Sequence, residues 1–131
     1  MSEAKTLLDF VKEAKSQISE IEVSDVVSLL EHGYKILDVR EPAEYLSGTI
    51  NDALNIPRGV IEAVSDHQYP GRKKEMMDRN QKWLLLCATS GRSAMATVVM
   101  KQMGFKHVKN INGGMAAWKA AEMQTVIPRH Q

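Results

Sequence analysis

Apolar residues at Leu7, Leu8, Phe10, Val11, Ala14 and Ile18 recur at helical spacing, which predicts an amphipathic helix over 6–18. A short extended piece follows at 20–23. Ser24 is placed to cap a helix carrying Val26, Val27, Leu29 and Leu30, and Gly33 to stop it. The pattern then predicts a strand over 34–39 and a short helix over 41–45. Pro42 sits in that helix's first turn, where a missing N–H is tolerated. Gly48 ends the helix, and a second strand over 53–56 is closed by Pro57. Periodicity weakens from 58 to 81: Val60, Ile61 and Val64 share a helical face, Pro70-Gly71 turns the chain, and the polar stretch 72–80 reads as a surface helix. Trp83, Leu84, Leu85 and Leu86 form a continuous apolar run, the mark of a strand buried on both faces. A helix over 93–103 ended by Gly104, a strand over 108–111 and a helix over 115–121 opened by Gly113-Gly114 complete the chain. Short strands alternating with helices describe an α/β domain, a central, mostly parallel sheet with helices on its faces.

At 131 residues the chain has room for one domain. Surface scaling lets a chain of this size bury roughly two thirds of its unfolded surface, enough for a core without metal or disulfide staples. Seventeen basic residues against sixteen acidic ones leave a net charge of +1, which offers no general attraction for nucleic acid or an anionic membrane. No apolar run approaches the roughly 18 residues of a membrane span. No secretory signal is visible at the N-terminus, and Ser2 stands where N-myristoylation needs glycine. A single cysteine rules out an internal disulfide, so a soluble protein of the reducing cytoplasm is expected.

That cysteine, Cys87, ends the buried strand and begins the stretch Ala88, Thr89, Ser90, Gly91, Arg92, after which a helix starts at Ser93. Open parallel sheets bind ligands beyond the carboxyl ends of their strands. Small loop residues leave the backbone accessible, and successive N–H groups with a helix N-terminus make an anion cradle. The same field, with Arg92 nearby, favours a thiolate. A buried cysteine taken alone is inert core; the turn, the arginine and the helix together point instead to a nucleophile facing a bound anion. Four residues separate Cys87 from Arg92. Phosphatases of the tyrosine-specific and arsenate-reductase types place five there, and the shorter loop makes a narrower cradle, better suited to one transferable sulfur than to a tetrahedral phosphate.

Taken together, these residues resemble the rhodanese family of sulfurtransferases. The 87–92 loop followed by Ser93 resembles the family's active-site loop. The stretch 37–45 (Leu-Asp-Val-Arg-Glu-Pro-Ala-Glu-Tyr) with Gly48-Thr49-Ile50 behind it, the stretch 53–59, and Met103-Gly104-Phe105 with 111–118 resemble three further signatures in order. The resemblance spans roughly residues 20–120. It implies a rhodanese-like three-layer domain over 20–123, with 1–19 as a helical extension packed on or beside it and 124–131 as a tail. It implies covalent, ping-pong sulfur transfer from thiosulfate or a related anionic donor, through a persulfide on Cys87, to a thiol or protein acceptor. Amides from Ala88 to Arg92 would hold the substrate's charge. Arg92 would bind the anion or fix the loop through a carboxylate, Asp38 or Glu44, and Arg58 is the second candidate for attracting the donor. Arg40 reads as a scaffold ion-pair partner.

One departure from the family pattern stands at Ser90, where glycine is frequent. Either a positive φ there strains the serine, or its hydroxyl meets the bound sulfur. No resolving cysteine exists, so a persulfide must pass to another molecule. His32, His67, His107 and His130 are scattered, so no metal is expected; Gly113-Gly114 lacks the spacing of a dinucleotide site, so no cofactor is expected either. Trp118 and the methionines of the 93–103 helix read as core, and Arg72-Lys73-Lys74 as solvated surface. The rival functions are a sulfur-carrying or regulatory binding module on the same fold and, with less support, a phosphatase or arsenate reductase. Oligomeric state is not legible.

Overall fold

Five strands form one sheet in the order β1-β5-β4-β2-β3, and every ladder in it is parallel. They are β1 (Ser19–Ile21), β2 (Tyr34–Asp38), β3 (Leu54–Asn55), β4 (Lys82–Leu86) and β5 (Val108–Ile111). The helices are α1 (Leu7–Lys15), α2 (Val26–Glu31), α3 (Pro42–Leu46), α4 (Ile61–Val64), α5 (Gly91–Gln102) and α6 (Gly114–Ala120). This computed structural model describes residues 4–129; the outermost residues of the extension and the tail, with His130, lie outside the described residues.

β4 shows why a run of four apolar residues was needed. It lies between β5 and β2 and is covered on both faces, so alternate side chains enter different cores. Trp83 and Leu85 join Leu37, Val39, Ile61 and Met100 on the face carrying α4 and α5. Leu84 and Leu86 join Val26, Ile111, Met115 and Trp118 on the face carrying α2 and α6. Two helical layers therefore enclose the sheet, and the chain leaves β4 at its carboxyl end straight into the Cys87 loop.

Two local expectations need correction. Ser24 caps no helix: it lies inside a 3-10 turn, Val23–Asp25, in which the Asp25 carboxylate accepts the Glu22 N–H, and α2 begins after it. The polar stretch 72–80 is no surface helix either; it holds one 3-10 turn, Lys74–Met76. Met76 alone is buried there, and one anchor is not the apolar stripe that stabilises a surface helix. The segment is pinned instead by the Arg79 guanidinium, which donates to the carbonyls of Met76, Ser65 and Met103 and lies 4.5 Å over the Phe105 ring. Arg72, Lys73 and Lys74 are exposed. No helix among the described residues is long and apolar enough to cross a membrane.

Candidate active site

The strand-to-helix turn after β4 folds back over its own cysteine. The Cys87 sulfur accepts hydrogen bonds from the Ser90 N–H at 3.1 Å, the Ser93 N–H at 3.4 Å and the Ser93 hydroxyl at 3.2 Å. Three donors converging on one sulfur, at the positive end of the twelve-residue α5, form an environment that stabilises negative charge on it. Cys87 is 1% exposed, yet it borders a cavity, so it is covered without being sealed into the core.

Getting the Ser90 amide onto the sulfur costs backbone strain. Ser90 has φ +124° and ψ −3°, a conformation that side-chain-bearing residues rarely adopt. Of the two roles open for this serine, the strained backbone is the one present. Its carbonyl is anchored on the other side by the Ala94 N–H, the Ser93 hydroxyl and the Asn110 side-chain amide. Behind the loop, the Met115 and Ala116 N–H groups at the start of α6 donate to the carbonyls of Cys87 and Ala88 at 2.9 and 3.0 Å. That contact exists because residue 114 is glycine: a Cβ there would collide with the Cys87 carbonyl and the Ala88 backbone. Carbonyls are thereby drawn to the back of the loop.

Arg92 reaches across to Glu44 on α3 in a bidentate pair, with contacts of 2.7 and 2.9 Å. The hydrogen bonds from Arg92 hold the Glu44 carboxyl down at about 2, against the opposing effect of burial. Asp38, the other carboxylate considered for Arg92, belongs to a different pair. It is fully buried at the end of β2 and binds the Arg40 guanidinium at 2.8 Å; the Thr49 hydroxyl donates to it, and Arg40 also donates to the Gly48 carbonyl. Arg58 pairs with Glu62 one turn along and does not line the Cys87 cavity. Of the remaining expected residues, Thr89, Ser90, Gly91 and Arg92 line the cavity with Cys87, whereas Ala88 and Ser93 lie behind it.

The cavity measures about 420 Å³, and its other wall comes from residues for which no chemical role was legible. Leu7, Leu8 and Val11 of α1 face it, with Met95 of α5 between. α1 is fixed there by a Thr6–Asp9 capping box, by the Lys15–Glu20 ion pair and by close packing of Val11 on Gly91, where a Cβ would come within 3.2 Å of the valine. Helical periodicity had marked an apolar face on α1; nothing local said that this face meets the loop. A larger cavity, about 840 Å³, lies at the amino ends of β2 and β4 beside Tyr34, Trp83 and Trp118, and offers no cysteine, serine or histidine. Among the described residues, no three His, Cys, Asp or Glu side chains gather as metal ligands would.

Comparisons with known proteins agree with this geometry. The family model "Rhodanese-like domain" matches residues 22–121. The chain is 31% identical to "Thiosulfate sulfurtransferase 16, chloroplastic" of Arabidopsis thaliana over 103 residues, 76% of this chain and 86% of that protein. It is 31% identical to "Sulfurtransferase" of Allochromatium vinosum over 93 residues, 71% of this chain and 78% of that one. Among solved structures, a protein of unknown function from Rhodopseudomonas palustris, described as "Possible Tyrosine Phosphatase", superposes with a TM-score of 0.86 at 29% identity, covering 96% of this chain and 98% of that one.

Proposed function

The chain belongs to the rhodanese-like domain family, and from that membership we propose that it transfers sulfane sulfur from thiosulfate or a related donor to a thiophilic acceptor through a persulfide on Cys87. The observation that carries this reading is the sulfur of Cys87, held by three donors at the mouth of a cavity on the carboxyl side of a parallel sheet. The names of the Arabidopsis and Allochromatium relatives support it.

In the first half-reaction the Cys87 thiolate attacks the outer sulfur of thiosulfate. The bond between that sulfur and sulfite breaks, sulfite leaves with the electron pair, and the enzyme keeps a persulfide. An acceptor nucleophile then attacks the outer sulfur, the S–S bond to Cys87 breaks, and the electron pair returns to the cysteine. The donors that hold the resting thiolate also receive the thiolate formed at the end. Arg92, fixed by Glu44, holds the loop in its curve and adds positive charge beside the sulfur. Arg58 lacks a place in this scheme because it does not line the cavity.

Steady-state kinetics with thiosulfate and cyanide test the proposal. Parallel lines in the double-reciprocal plot, with activity lost in Cys87→Ser, are the expected result. Hydrolysis of an aryl phosphate without sulfur transfer would favour the phosphatase reading that the description of the Rhodopseudomonas protein suggests.

A further inference from the structure

We infer that the first helix forms an acceptor wall, and that the acceptor it selects is a small thiol with an uncharged, apolar body. This rests on the sulfurtransferase reading above and deepens it. Three observations carry the inference.

The cavity at Cys87, about 420 Å³, is far larger than one sulfur atom requires and lies within the size range of small-molecule pockets. Its walls away from the loop are Leu7, Leu8 and Val11 on one side and Met95 on the other. Leu7 is 71% exposed and Leu8 59%, so two leucines stand in water beside the nucleophile on a helix already fixed by its cap and by Gly91.

Charge gives the second constraint. Arg92 alone among the described lining residues is charged, and its guanidinium is already bound in two hydrogen bonds to Glu44. The pair sums to zero. A carboxylate or sulfonate on the body of an acceptor would lose water there and find no free cation in return. An alkyl or aryl body would cover the two leucines and gain by it. The third observation is position: α1 ends at Lys15, ahead of the span 22–121 matched by the family model, so the wall is an addition to the common domain.

The chemistry balances without an oxidant. The acceptor thiolate attacks the outer sulfur of the Cys87 persulfide, a new S–S bond forms on the acceptor, the bond to Cys87 Sγ breaks, and its electron pair stays on Cys87.

The test is a single-turnover discharge by the full chain. The protein is loaded with excess thiosulfate, freed of donor and checked by intact mass. It is then mixed with 1-butanethiol or with 3-mercaptopropionate, which are similar in length but differ in charge. The wild type is expected to discharge about tenfold faster to butanethiol, the range a single apolar contact can supply. The Leu7→Ser/Leu8→Ser double variant is expected to lose most of that preference. Phe10→Ser, on the same helix but away from the cavity, should keep it. A loaded wild type indifferent to body charge, or a preference that survives the double variant, overturns the acceptor wall and leaves sulfur transfer standing. Failure of Cys87 to load from any sulfane donor overturns the transfer reading and the wall with it.

Discussion

Two guanidinium–carboxylate pairs lie close together, and they do different work. Asp38 and Arg40 are two residues apart, with side chains 0% and 6% exposed; Glu44 and Arg92 are 48 apart, at 37% and 36%. The chemistry is the same and burial separates the roles. The inner pair carries its own satisfaction, from the Thr49 hydroxyl, the Arg40 N–H and the Gly48 carbonyl, so it locks the end of β2 to the turn before β3. The outer pair, in water on one side, contributes little to folding. It ties the cysteine loop to α3, and thus sets where the loop sits more than whether the chain folds.

The largest way to break this contrast is Asp38→Ala. It strands a buried guanidinium and is expected to cost about 3–5 kcal/mol in denaturant unfolding. A loss below about 1 kcal/mol would show that the inner pair does not lock the scaffold. Arg92→Ala should divide the other way. Stability should fall by less than about 1 kcal/mol, while sulfur transfer should fall about a hundredfold, as when one preorganised charge-stabilising donor is removed. Equal damage to both would erase the distinction.

Ser90→Gly sharpens the contrast within the loop itself. Relief of the positive φ is expected to stabilise the protein by about 1 kcal/mol, read as a shift in the denaturation midpoint. No gain would mean that the serine conformation is not strained. The smallest expected effect is the acid response of the outer pair. Glu44 is lowered from 4.5 to about 2 in the folded protein, so it binds fewer protons folded than unfolded. Its contribution is therefore whole above pH 4.5 and lost as pH falls toward 2. Stability measured against pH should show a shallower acid limb in Glu44→Gln than in the wild type. An unchanged limb would mean that the pair is not formed in solution.

What was legible in the sequence divides along the same line, between local and distant. Cys87, its turn and the helix after it are contiguous, so a buried strand run, a glycine and an arginine sufficed to place them beyond the carboxyl end of β4. The partner of Arg92 was left between Asp38 and Glu44, because only the sheet order brings α3 to the loop across 48 residues. Arg58 read as a donor-binding residue from its neighbours in sequence, but Glu62 one turn along takes its charge. Gly114 read as a turn residue; that its missing Cβ lets α6 press on the Cys87 carbonyl is a property of two segments packed together. Leu7 and Leu8 are the extreme case, since periodicity predicts an apolar face without saying what it meets. The helix expected at 72–80 failed for the converse reason: its polar residues suited a solvated helix, but Arg79 spends its donors on three carbonyls and holds the segment irregular.

Sulfur loading on Cys87 is the claim on which the rest depends, and intact mass reads it directly. Reduced protein exposed briefly to thiosulfate should gain the mass of one sulfur atom, lose it on adding cyanide, and show no gain in Cys87→Ser. A folded wild-type protein whose thiol alkylates readily, yet which gains no sulfur, would contradict transfer from thiosulfate.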